Sequence, residues 1–152
     1  AQSGLVMADY FRQVHGVAPE RYATVMGPSH AEEVVQGRTT FLTVGSASAP
    51  LAAHLAALLR NDELRTIESE DVWGMELAAV LKNIYAIGVG MALGLGYGDN
   101  VVSVFVANCL REMHGMVMFA DYWREREIEH SPYLGDLLVT AYSPHSRNRQ
   151  LG

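Results

Sequence analysis

This chain contains one lysine, Lys82, and it lies in the most apolar stretch, ELAAVLKNIYAIGVGMALGLGYG (76–98); the other ten basic residues are arginines. An ammonium in such a place admits three readings. The segment from Leu77 to Tyr97 is long enough to span a bilayer and contains Gly90-x-x-x-Gly94, a helix-packing spacing in membranes. Lys82 and Asn83 sit well inside that span, where a lysine costs several kcal/mol, which argues against it. The second reading is a buried core helix whose lysine extends its ammonium to the surface. In the third, Lys82 faces a cleft and exchanges a proton with a ligand, while Asn83 beside it and Ala78, Ala79 and Ala86 on adjacent turns leave room for that ligand. Composition alone does not choose between the last two.

A second group of reactive types lies near the C-terminal end, in YLGDLLVTAYSPHSRNRQLG. Asp136 and Thr140 are four apart and share a helix face. Ser146, Arg147, Asn148 and Arg149 then follow in succession. A guanidinium fork with neutral donors beside it suits a phosphate, although a solvated polar loop end has the same composition. The histidines have no metal-ligand spacing, and Cys109, in mid-helix, reads as a packing residue rather than a nucleophile.

These residues need a scaffold, and 152 residues at 49% apolar suffice for a sizeable core. The net charge of −6 gives no footprint for nucleic acid. A single cysteine excludes an intrachain disulfide and fits a reducing compartment. The N-terminal AQSGLVMADYF has no signal-peptide pattern and no initiator Met, as expected of a piece of something longer.

The hydrophobic period changes near residue 70. Strands are predicted at Tyr22 to Met26, Thr39 to Val44 and Leu64 to Ile67. Ser29 to Glu32, SHAE, matches a capping box, and Ser48 with Pro50 opens a helix over APLAAHLAALLR. After Asp71, a predicted N-cap, the pattern is helical: from about Val72 to Leu93, where glycines 94, 96 and 98 break it, and from Asp99 or Asn100 to about Phe119. WREREIEHSP (123–132) reads as an exposed connection, followed by a helix over about Tyr133 to Tyr142. The fold class is α+β and mainly α.

Three blocks, GPSHAEEV (27–34), ELAAVLKNIYAIGVGMALGLGYGDN (76–100) and GDLLVTAYSPHSRNR (135–149), together resemble the bacterial NAD(P)-dependent glycerol-3-phosphate dehydrogenase family in order and spacing. The resemblance implies terminal strands of a Rossmann-type NAD(P)-binding domain at 1–70, followed by an all-α substrate-domain segment at 71–152. It implies an oxidoreductase that interconverts glycerol 3-phosphate and dihydroxyacetone phosphate, with Lys82 as the general acid/base. It also implies substrate contacts from Gly27, Ser29, Lys82, Asp136, Thr140, Ser146, Arg147 and Asn148, and contacts to NAD or NADP from Ala31 and Arg147. The implied partner is a small phosphorylated three-carbon substrate, with no nucleic acid, no membrane span and a cytoplasmic setting; a homodimer is compatible with it. The reading from another class is a non-catalytic helical binding or assembly module.

The sequence also departs from the family pattern. No G-x-G-x-x-G occurs, and GVGMALG (88–94) has the wrong spacing and lies in a helix. The family's glycine-rich fingerprint, first βαβ half and an upstream lysine are expected before Ala1, and further helices after Gly152, so the chain by itself is expected to be inactive. His30 stands where the family commonly has an aromatic, and 121–131 does not follow its pattern.

Overall fold

A computed structural model of the chain describes residues 4–120, 126 and 128–152. The chain divides into two compact units, Ala1–Leu77 and Ala78–Gly152.

The first unit is built on a three-stranded sheet in the order β1 (Thr24–Met26), β2 (Thr40–Gly45), β3 (Leu64–Ser69). β1 runs antiparallel to β2 with Val25 opposite Val44. β2 and β3 are parallel, from Thr40 opposite Leu64 to Gly45 opposite Ser69. A parallel pair needs a crossover, and α3 (Ala49–Leu59) supplies it. The start of α3 follows the sequence signal: Ser48 accepts a hydrogen bond from the Leu51 amide at 3.3 Å, and Pro50 lies in the first turn. Ala52 and Ala56 of this helix are buried with Val44 of β2, and Leu55 packs against the cluster. At the far end, Arg60 donates from Nε to the Thr66 hydroxyl at 3.0 Å, and that hydroxyl donates to the Ala56 carbonyl at 3.1 Å. Helix and strand are thereby tied across their shared loop.

A helix that local signals leave unmarked precedes the sheet: α1 (Met7–His15), whose N-cap, Val6, has no side chain able to cap it. The missing acceptor comes from far along the chain. The buried Glu76 carboxylate accepts from the Ala8 amide at 2.9 Å and from the Tyr22 hydroxyl at 2.6 Å. A capping partner 68 residues away leaves no local pattern to read.

The segment after β1 corrects one expectation. The short α2 (Ala31–Val35) is capped by His30, not Ser29, and has no side-chain cap hydrogen bond. With His30 at the cap, Glu32 falls at the second helical position, one residue short of where a capping box needs it. Ser29 is exposed instead.

The described residues of the second unit form helices and no strand. Asp71 caps α4 (Val72–Gly94), its Oδ1 accepting from the Gly74 amide at 3.2 Å. The first residues of α4 belong to the first unit and the rest to the second. Gly96, at φ +83, closes the helix in a conformation that favours glycine. α5 (Asp99–Ala120) buries Val102, Val106, Cys109, Met113 and Val117, a stripe at three- and four-residue spacing. α4 contributes Ala78, Leu81, Tyr85 and Val89 to the core in the same way. Both helices are long and apolar enough to cross a membrane, by length and composition.

The connection at 123–132 is not simply exposed. Residues 123–125 and 127 lie outside the described residues, but Ile128 and Pro132 are buried and Arg126 donates to the Val117 carbonyl at 3.3 Å. Apolar Ile128, among charged neighbours, anchors the polar run to the core. A π-helical turn, Ser131–Gly135, leads directly into α6 (Asp136–Tyr142), and α7 (Arg147–Leu151) follows. The helix expected from Tyr133 thus starts earlier and changes its winding at Asp136.

Candidate functional site

Lys82 lies in the second turn from the start of the second unit, and its Nζ donates to Asp136 Oδ2 at 2.5 Å. The two side chains are 19% and 6% exposed, so this ion pair is largely withdrawn from water. A lysine kept in an apolar helix thus has its charge compensated rather than carried to the surface. Asp136 is the first residue of α6, immediately after the π-helical turn. Such turns shift the register of a helix and frequently occur at functional sites.

Thr140, one turn on, is buried, and its hydroxyl donates to the Asp136 backbone carbonyl at 2.6 Å. Its proton is therefore directed at its own helix, so Thr140 supports the Asp136 backbone instead of presenting a free donor, as threonines in helices commonly do.

The next residue of α4 adds a link that motif spacing had not singled out. Asn83 donates from Nδ2 to the Ala79 carbonyl at 2.9 Å, which fixes its amide orientation, and its Oδ1 accepts from Asn148 Nδ2 at 2.7 Å. Asn148 belongs to α7, so the SRNR segment is held to the helix that carries Lys82. Ser146 is the buried N-cap of α7, its Oγ accepting from the Arg149 amide at 3.3 Å. The polar run, read from sequence as a phosphate contact or a solvated loop end, is a capped helix. Arg147, its first residue, is exposed, and Arg149 donates to the Tyr142 carbonyl at 2.8 Å. The only local signal for Asn83 was its place beside Lys82.

Lys82, Asp136, Asn83 and Asn148 thus form two adjacent polar pairs in one unit, with Arg147 next to Asn148 in sequence. Gly27, Ser29 and Ala31 lie in the first unit, on the segment from β1 into α2. Gly27 adopts φ +140, and a Cβ there would come within 2.6 Å of the Phe41 carbonyl oxygen, so only glycine fits. The Thr40 hydroxyl donates to the Pro28 carbonyl at 3.0 Å and fixes the turn. Ser29 and Ala31 are exposed.

Cys109 is buried on α5, and burial, reinforced by the nearby Glu112 carboxylate, pushes its thiol up to about 11. It is a packing residue, as the sequence suggested. No group of three or more His, Cys, Asp or Glu suited to a metal occurs among the described residues.

Residues 71–152, from the cap of α4 onward, match the family described as NAD-dependent glycerol-3-phosphate dehydrogenase C-terminus. The chain belongs to this dehydrogenase family. The glycerol-3-phosphate dehydrogenase [NAD(P)+] of Deinococcus radiodurans is 40% identical over 137 residues, covering 90% of this chain and 42% of the relative. That of Syntrophomonas wolfei is 40% identical over 153 residues, covering 99% of this chain and 44% of its own length. The chain therefore spans less than half the length of these glycerol-3-phosphate dehydrogenases. Among solved structures, the glycerol-3-phosphate dehydrogenase of Coxiella burnetii is similar, with a TM-score of 0.78 at 31% identity over 84% of this chain and 39% of that one. DsGPDH of Dunaliella salina shares the fold, with a TM-score of 0.86 at 23% identity over 95% of this chain and 24% of that one.

Proposed function

We propose that the protein interconverts glycerol 3-phosphate and dihydroxyacetone phosphate, and that this chain carries the substrate side of the reaction. In this reading residues 1–70 end the nucleotide-binding domain and 71–152 open the helical substrate domain. The observation that carries the proposal is the Lys82–Asp136 pair, at 2.5 Å and largely screened from water.

The chemistry demands such a group. Reducing the ketone leaves an alkoxide oxygen that must be stabilised and protonated, and the Lys82 ammonium can do both. In the reverse direction Lys82 accepts the hydroxyl proton. Asp136 holds the ammonium in place and compensates its charge while no substrate is bound. Arg147 offers a planar fork to the phosphate, and Asn148, which follows it in sequence, a neutral amide.

NAD or NADP would supply or remove the hydride. The residues of this chain fit only the margin of such a cofactor: Ala31 and Arg147 are both exposed, and the sequence contains no glycine-rich turn to cradle a pyrophosphate. The Lys82 site fits the proton side of the same chemistry.

The test is an assay of NADH and NADPH oxidation by the protein expressed from its complete reading frame. It should turn over dihydroxyacetone phosphate and respond weakly to dihydroxyacetone. Equal use of the two ketones would remove the phosphate role of Arg147, and no turnover of either would end the proposal.

A further inference from the structure

The seat of α7 on α4 has no side chain between the two backbones. A Cβ added at Gly90 would overlap the Arg149 carbonyl oxygen and come within 3.0 Å of the Gly152 carbonyl carbon. From the other side, a Cβ added at Gly152 would overlap the Ile87 carbonyl oxygen and meet the Met91 amide nitrogen at 2.8 Å. Each segment thus has a glycine where the other's backbone passes. On α4, Asn83, Ile87 and Gly90 stand at i, i+4 and i+7, which puts them on one face over two turns, about 10 Å. The Asn83–Asn148 hydrogen bond occupies one end of this face and the glycine contact the other. Gly94, one turn further, is different: a Cβ there would find only the Gly152 carbonyl oxygen, at 3.8 Å.

We propose that Gly90 is a positioning residue for the substrate's phosphate. By letting α7 lie directly on α4, it sets how far Arg147 and Asn148 stand from the Lys82–Asp136 pair, and hence the length of substrate the site accepts. This rests on the proposed function. A hydrogen bond at one end and a close backbone contact at the other fix α7 against sliding along the face, and a methyl group at Gly90 lifts it at the contact end. The Lys82–Asp136 pair, made between α4 and α6, is left in place.

The experiment compares Gly90→Ala with Gly94→Ala in the complete protein. Both changes replace a helical glycine of α4, Gly94 being its last residue, and only Gly90 faces the α7 backbone closely, so a loss confined to Gly90→Ala reports the seat. Two readouts are needed: hydrogen exchange at the amides of 147–151, and KM against kcat for dihydroxyacetone phosphate. Gly90→Ala should expose those amides and raise KM about tenfold while kcat changes much less, and Gly94→Ala should do neither. Gly152→Ala approaches the same contact from the exposed side and should reproduce the effect even if Gly90→Ala folds poorly. Unchanged protection of 147–151 in both Gly90→Ala and Gly152→Ala overturns the seat. Lost protection with unchanged KM overturns its role in phosphate placement. A wild type that turns over no substrate ends the proposed function and this role together, whereas the exchange result still decides the seat.

Discussion

Lys82 and Asp136 are 54 residues apart in sequence, and the lysine ammonium donates to the aspartate carboxylate at 2.5 Å. The pair is shielded on both sides, with the carboxylate the more deeply buried. Removing one partner therefore has two consequences, one for chemistry and one for the charge left behind.

Lys82→Met keeps the bulk of the stem and removes the proton donor. In the complete protein kcat should fall by roughly 10²–10⁴, with KM changed less. Stability should also fall, by about 3 kcal/mol, because the buried Asp136 carboxylate loses the ammonium that compensates its charge. Lys82→Met/Asp136→Asn should recover much of that stability in urea melts and none of the turnover. Near-normal turnover in Lys82→Met would mean that the lysine serves packing alone.

Arg147→Lys preserves charge and loses the planar fork. Because Arg147 is exposed, its stability effect should lie within about 0.5 kcal/mol. KM for the phosphorylated substrate should rise more than kcat falls, as steady-state kinetics at several substrate concentrations would show. An equal fall in kcat with KM unchanged would instead place Arg147 in the chemical step.

Gly27→Ala tests whether this glycine serves the backbone. A φ of +140 and the overlap with the Phe41 carbonyl predict a loss of about 1–3 kcal/mol, visible as a lower urea midpoint. Gly37→Ala is the comparison. Gly37 also has positive φ, at +70, but a Cβ there meets nothing within 4 Å, so its loss should be smaller. Equal losses would mean that the Phe41 contact contributes nothing.

Alkaline pH should destabilise the fold through groups that stay protonated inside it. Burial raises the Cys109 thiol from its ordinary 9.0 to about 11, and burial followed by Glu112 raises the Tyr85 hydroxyl. Between these values the unfolded chain has lost the thiol proton that the folded chain retains, so stability falls as pH rises. The contribution is complete below pH 9 and is lost as pH passes about 11. Denaturation midpoints measured from pH 8 to 11 should decline, and Cys109→Ala should decline less steeply. The same thiol should react slowly with alkylating reagents near neutral pH.

Much of this molecule is legible along the chain because its causes are local. Ser48 and Asp71 start helices through amides three residues away, Pro50 through its place in the first turn, and Gly96 ends α4 through its own φ. The strands come within two residues of their β-branched runs, and the stripe on α5 follows helical spacing. The unusual composition around Lys82, and the run from Ser146 to Asn148, likewise stand out without any structure. What one dimension cannot supply is a partner. Glu76 caps α1 from 68 residues away, Asn83 meets Asn148 across 65, and Lys82 meets Asp136 across 54. No local preference fixes these distances; they follow from how the helices pack. The same holds for Ser29, displaced from the cap by a one-residue shift, and for Thr140, whose hydroxyl is taken by its own helix. Sequence determined which residues could react and which segments would carry them. Only tertiary structure decided which groups meet, because a hydrogen bond or ion pair depends on separation in space, and packing sets that separation.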